Sequence, residues 1–148
     1  MTTALICVRG FRTSTVLDKL RERLHPSLSW IILHVIDSRP EEQPKRAPEK
    51  LPSRDDRQHQ VHGRIAETSW QFHQDVRAEA EQWLADHGRA AEIVLVEGRA
   101  EHEILRIAEE FGVSIIAIGD LSEPGPRRLP PVAQFVVDHA RCDVLLVR

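Results

Sequence analysis

The chain has little of what usually announces chemistry. Its 148 residues contain two cysteines, Cys7 and Cys142, in separate apolar runs and in no CxxC pair. That excludes a disulfide framework and a thiolate metal cage, and it predicts a reduced, cytoplasmic setting. No GxSxG elbow, GxxxxGK[ST] loop or HExxH helix occurs, so the hydrolase nucleophile, the P-loop and the zinc-protease helix are missing. An excess of one charge is lacking as well. The 20 Lys and Arg residues stand against 23 Asp and Glu, for a net charge of −3. No global field then draws nucleic acid or anionic lipid, and neither partner is expected. No apolar run approaches the roughly 20 residues of a membrane helix. The opening MTTALICVRG lacks the basic flank of a signal peptide and reads as a first strand. There is no internal repeat.

What is there is a series of apolar runs separated by amphipathic stretches. Ala4 to Val8 is the first run. Thr13, Ser14 and Thr15 then offer N-cap hydroxyls to a helix carrying Leu17, Leu20 and Leu24, closed by His25-Pro26. Trp30 to Ile36 is a second buried strand. Residues 39–64 differ in kind. Prolines at 40, 44, 48 and 52 alternate with charges, no apolar stripe forms, and an exposed, mobile crossover loop is expected. A helix is predicted from Ile65 to His87, with Gly88 just past its end and Ile65, Phe72, Val76, Ala80, Trp83 and Leu84 on one face. Trp70 falls to the side of that face. The charges from Glu67 to Glu81 read as its solvated side. Ile93–Val96 forms a third strand. A helix with Ile104, Leu105, Ala108 and Phe111 facing inward ends at Gly112. Val113 to Ile118 is a fourth strand with almost no polar alternation, which marks a parallel sheet covered on both faces. A helix near Val132–Ala140 and a strand at Val144–Val147 close the series. Five strands alternating with four helices predict a single α/β domain over 1–148 with an open parallel sheet and right-handed crossovers.

Four pieces of the chain, ALICVRG, WIILHVID, VEGRAEHEILRIAEEFGVSIIAIG and VAQFVVDHARCDVLLVR, in that order and spacing, resemble the universal stress protein family. The resemblance implies a Rossmann-like, adenine-nucleotide α-hydrolase-like fold with strand order 3-2-1-4-5. It places a ligand crevice at the carboxyl ends of strands 1 and 4, where the order reverses. Many members bind ATP there through glycine, two residues, glycine, nine residues, glycine and a hydroxyl residue, whose backbone N–H groups cradle the phosphates. Here Gly119 matches the first glycine, but the second falls on Ser122, the third on Val132 and the hydroxyl on Ala133. Aligned by the following helix, the Gly-Ser pair falls on Pro130-Pro131. Pro124, Pro126, Pro130 and Pro131 have no N–H to give. In the first-strand turn, the family's Asp-Gly-Ser becomes Arg9-Gly10-Phe11. His34-Val35 is kept, where the family's backbone meets adenine.

These residues imply a remnant nucleotide site of Gly10, Val35, Gly119 and Ser122, with no cofactor, and ATP or AMP as the alternative. Arg9, Arg12, Arg127 and Arg128 stand in loops at the same end. They read as solvated surface, or as an anion pocket in which guanidinium forks replace lost backbone donors. His59, His62 and His73 lack companion ligands, so no metal is expected. His34 and His139 read as core-edge residues bonded to backbone. Asp138, His139 and Cys142 are sequence neighbours at a helix end, unlike a triad assembled in space, and no enzyme activity is expected. Cys7 reads as a small core residue. In relatives the last strand pairs with its copy across a two-fold axis. That predicts a homodimer through Val144, Leu145, Leu146 and Val147, engaging a protein partner. The function implied is a regulatory or protective stress protein without ATP, or alternatively a nucleotide- or anion-binding switch.

Overall fold

The computed structural model describes residues 2–9, 12–37, 54–119 and 129–148, with 54–69 described as helical backbone only. The chain runs β1 (Thr3–Cys7), α1 (Thr13–Arg23), β2 (Ser29–Ile36), α2 (Arg54–Asp86), β3 (Glu92–Glu97), α3 (Ala100–Glu110), β4 (Ile115–Ile118), α4 (Pro131–His139) and β5 (Asp143–Leu146). The strands make one sheet in the order β3-β2-β1-β4-β5, and every neighbouring pair is parallel. The expected fold class and strand order are therefore those observed.

Strand pleating divides the core. Ala4, Ile6 and Val8 join Ile32 and Ala117 beneath α1 and α2, with Val16, Leu17, Leu20, Val76, Ala80 and Trp83. Leu5 and Cys7 point the other way, to Leu33, Ile116, Ile104, Ile107 and Val136 beneath α3 and α4. This is the alternation of successive Cβ atoms along a strand covered on both sides. Cys7 lies inside the second layer, and burial pushes its thiol up to about 12, so it packs as a small apolar residue.

Two expectations need correction. Helix α2 begins at Arg54, so 54–64 is helix and not loop; residues 39–53 lie outside the described set. No proline follows Pro52 in this region, and extending a helix already nucleated costs far less than starting one. Phe111 does not face the core but is 41 % exposed, because it is the C-cap residue where α3 stops. Trp70 projects outward at 63 % exposure. Among the described residues no helix is long and apolar enough to cross a membrane.

Gly119 fixes how closely α1 approaches β4. A Cβ at this position would lie 2.4 Å from Val16 Cγ1 and 2.8 Å from Cγ2, well inside van der Waals contact. Glycine is required here by space. We expect Gly119→Ala to lower stability by about 1–3 kcal/mol through overpacking. Adding Val16→Ala should recover part of that loss, as a double-mutant cycle in urea unfolding will read.

Candidate functional site

Because all five strands are parallel, their carboxyl ends face one way. Cys7 pairs with Ile118 and with Leu33, so Val8 and Arg9 leave the sheet beside Gly119 on one side and His34 on the other. Val8 N donates to Leu33 O at 3.0 Å. The order reverses here: the connection after β1 leads toward β2, while β4 lies on the opposite flank. A crevice at such a point is where open α/β sheets take ligands. Arg9 and Arg12 are both exposed at this end, Val35 is half-buried, and Gly119 is buried. Gly10, Ser122, Arg127 and Arg128 lie outside the described residues, as do Phe11, Pro124 and Pro126.

Helix α1 starts without the cap foreseen for it. Arg12, in the left-handed region at φ 58 and ψ 34, is the N-cap residue, and its side chain caps nothing. Thr13 and Ser14 are already helical, so they are not the capping hydroxyls. A guanidinium has no acceptor to offer the first amides. The acceptor comes from α2 instead: Glu79 Oε1 takes a hydrogen bond from Ser14 N at 3.2 Å and from Ser14 Oγ at 2.9 Å. A carboxylate at a helix amino end is favoured by the unsatisfied N–H groups and the dipole. Glu79 therefore departs from the solvated face on which its neighbours in sequence placed it. The missing cap at Arg12 is the signal for an outside acceptor, but nothing in the chain points to a residue 65 positions away.

The second polar closure is a histidine pair. His34, 4 % exposed, holds Nδ1 3.0 Å from Val8 O and Nε2 2.6 Å from His73 Nδ1. A carbonyl only accepts, so His34 Nδ1 carries the hydrogen and Nε2 is the acceptor. His73 Nδ1–H must then donate to it. His34 is backbone-bonded as expected; the link to His73 was missed. Its ring also meets Phe72 edge-on at 6.3 Å. Elsewhere at this end, Ala100 N at the start of α3 donates to Asp37 Oδ2 at 3.1 Å.

Helix α4 starts on two prolines. Pro130 is the N-cap with no side-chain cap, and Pro131 is the first helical residue. Pro131 fits the helix because its fixed φ suits the first turn, but neither ring carries an N–H. At the far end of α4, His139 Nδ1 donates to Phe135 O at 2.9 Å and its ring stacks on Phe135 at 4.1 Å. Asp138 accepts from Gln134. Burial, then Asp143, raises the Cys142 thiol. These three groups are engaged locally and do not converge. Among the described residues no three His, Cys, Asp or Glu side chains are placed to hold a metal ion.

With this geometry in hand, comparison with known proteins is decisive on one point. The model of the universal stress protein family matches residues 20–148. The chain belongs to the universal stress protein family. A curated relative, universal stress protein YxiE of Bacillus subtilis, is 37 % identical over 71 residues, 47 % of this chain and 48 % of that protein. The chain thus spans about half the length of the curated relative it matches. Among solved structures it is similar to UspA from Lactobacillus plantarum, with TM-score 0.69, 18 % identity and coverage of 99 % and 97 % of the two chains. It is also similar to a family protein from Arabidopsis thaliana with AMP bound, with TM-score 0.62, 15 % identity and coverage of 99 % and 91 %. At these identities the structures establish the shared fold.

The histidine pair should make stability pH-dependent. Burial lowers the pKa of His34, partly offset by its bond to Val8; burial and then His34 lower that of His73. With both lowered, the folded protein binds fewer protons than the unfolded chain. Their contribution is complete above the ordinary value of 6.5 and drains away as pH falls below it toward the folded-state values. We expect the melting temperature to fall between about pH 7.5 and about pH 5.5, a window set by histidine titration. His34→Asn, which keeps a donor for Val8 O but cannot titrate, should show a smaller fall. An equal fall in both proteins would exclude the pair as its source.

Proposed function

We propose that this protein is a regulatory or protective universal stress protein that works without ATP. On this reading it is a homodimer that engages a protein partner in the cytoplasm and catalyses no reaction of its own. One observation carries the first part: α4 opens on Pro130-Pro131, where the family motif places Gly-Ser. A phosphate-binding helix start offers its first backbone N–H groups to the anion, and here two of those positions have none. Pro124 and Pro126 add two more residues without N–H to the connecting segment. Calorimetric titration tests this directly. ATP should give no saturable heat with the natural sequence. A variant carrying Pro130→Gly and Pro131→Ser should gain binding. Tight ATP binding by the natural sequence would overturn the reading.

The dimer is argued from the two sheet edges. Pairing β3 with its own copy about a two-fold axis through its centre would set Glu92 opposite Glu97, and like charges facing across strands repel. The same operation on β5 sets Asp143 opposite Leu146 and Val144 opposite Leu145, so no like charges face each other. Val144, Leu145 and Leu146 are half-buried along this outer strand, and Val137 on the adjoining α4 is 41 % exposed. Val147 belongs to the protein's own core, fully buried with its N–H bonded to Ile118 O at 2.8 Å, so it leaves the dimer set. We expect a dimer by light scattering at tens of micromolar, and Val137→Lys should shift it toward monomer with its helix content unchanged. A monomeric natural protein would remove the proposal.

A second reading has its own support: the Arabidopsis relative holds AMP, and Arg9 and Arg12 are exposed at the corresponding end of this sheet. On this reading the protein is a mononucleotide- or anion-responsive switch, with arginine in place of a glycine-loop cradle.

A further inference from the structure

Two groups at the start of α1 are arranged as though for an oxyanion. The first is the pair of donors on Ser14, N–H and Oγ–H, both directed to a single oxygen, Glu79 Oε1, at 3.2 and 2.9 Å. The second is Thr13. Its side chain is buried, the residue being 1 % exposed, and Oγ1 has no hydrogen-bond partner among the described residues. A buried hydroxyl left unpaired keeps its desolvation cost uncompensated, so its presence here calls for a reason. Thr13 stands three residues before Val16, hence one turn above it on the same helix face. Val16 is the residue packed on Gly119. The Thr13 hydroxyl is therefore at the amino end of α1, at the level of the crevice between the carboxyl ends of β1 and β4.

We propose that the start of α1 is a latent site for an oxyanion, a phosphoryl or similar group, and that the Glu79 carboxylate occupies it as an internal competitor. Being tethered, Glu79 acts at a high effective concentration, and its charge repels a second anion at short range. A phosphoryl group enters when the carboxylate is withdrawn or neutralised, taking the Ser14 donors and the Thr13 hydroxyl. This rests on the second reading above and gives that reading a control element: α2 closes the site, and whatever moves α2 opens it. The anion contact lies on α1, so it does not depend on the proline-bearing start of α4.

The test uses inorganic phosphate and AMP as probes in calorimetry on the full chain. Glu79→Gln removes the charge and keeps an acceptor for Ser14, which protects the fold. Glu79→Ala clears the position in case the Gln amide oxygen still fills it. At least a tenfold gain in affinity is expected in one of these variants relative to the natural sequence, and Thr13→Val in the same background should abolish it. A gain for phosphate identifies a free oxyanion as sufficient, and a gain for AMP alone identifies a nucleotide-borne phosphoryl group; either supports the proposal. No gain in both variants, or a gain that Thr13→Val leaves intact, overturns it. Binding of ATP by the natural sequence would count against the ATP-independent reading and leave this comparison of variants unaffected.

Discussion

Strand β1 has no free side. It is paired to β2 along one edge and to β4 along the other, and Ala4, Leu5 and Ile6 are fully buried between helices on both faces. Every other feature at the carboxyl end follows from that placement. The residue after β1 must turn away beside β4, helix α1 must begin over the junction, and only a glycine at 119 lets Val16 settle there. A strand that is central and doubly covered has no water available for its polar neighbours. Each buried polar group near it must find a protein partner or remain costly.

Those partners come from side chains distant in sequence. The N–H and hydroxyl of Ser14 are bound by Glu79, the Val8 carbonyl is bound by His34, and the amide of Ala100 is bound by Asp37. These are side chains closing positions that, in open α/β sheets, lie where ligands are held. Two of the three closures draw on α2, through Glu79 directly and through His73 behind His34. Helix α2 thus does more than cover the first layer of the core. It holds the β1–α1 junction together through one carboxylate and one imidazole as well as through apolar packing.

The fold was legible in the chain because its determinants are local. Apolar runs such as Trp30–Ile36 and Val113–Ile118 declare doubly covered strands, and the spacing of Leu17, Leu20 and Leu24 declares a helix. Glycines at 88 and 112 mark helix ends, and both adopt positive φ. The strand order came from resemblance, since periodicity alone does not rank strands. The site was less legible. That α4 starts on prolines follows from sequence, because the ring removes the N–H wherever it stands. The Glu79–Ser14 and His34–His73 contacts join residues 65 and 39 positions apart, and only the crossing of α1, α2 and β2 brings them together. Helix 54–64 was missed for a related reason: its polar composition gives no apolar stripe, and its extension depends on the helix already formed behind it.

A helix start without backbone donors and an internal acceptor at a second helix start act in the same direction. At α4, Pro130 and Pro131 offer no N–H to an anion. At α1, Glu79 occupies N–H and hydroxyl groups that a phosphate would otherwise approach. The two features differ in kind. Proline is permanent, since no change of conditions restores an amide hydrogen to Pro130 or Pro131. A carboxylate is reversible, because it is displaced when α2 shifts or when its charge is cancelled. The Thr13 hydroxyl, buried and without a partner among the described residues, carries a cost that an apolar residue of the same shape would remove. On the proposed reading, a helix start without donors at α4 and a removable plug at α1 together suit a small, conditional anion contact better than a polyphosphate.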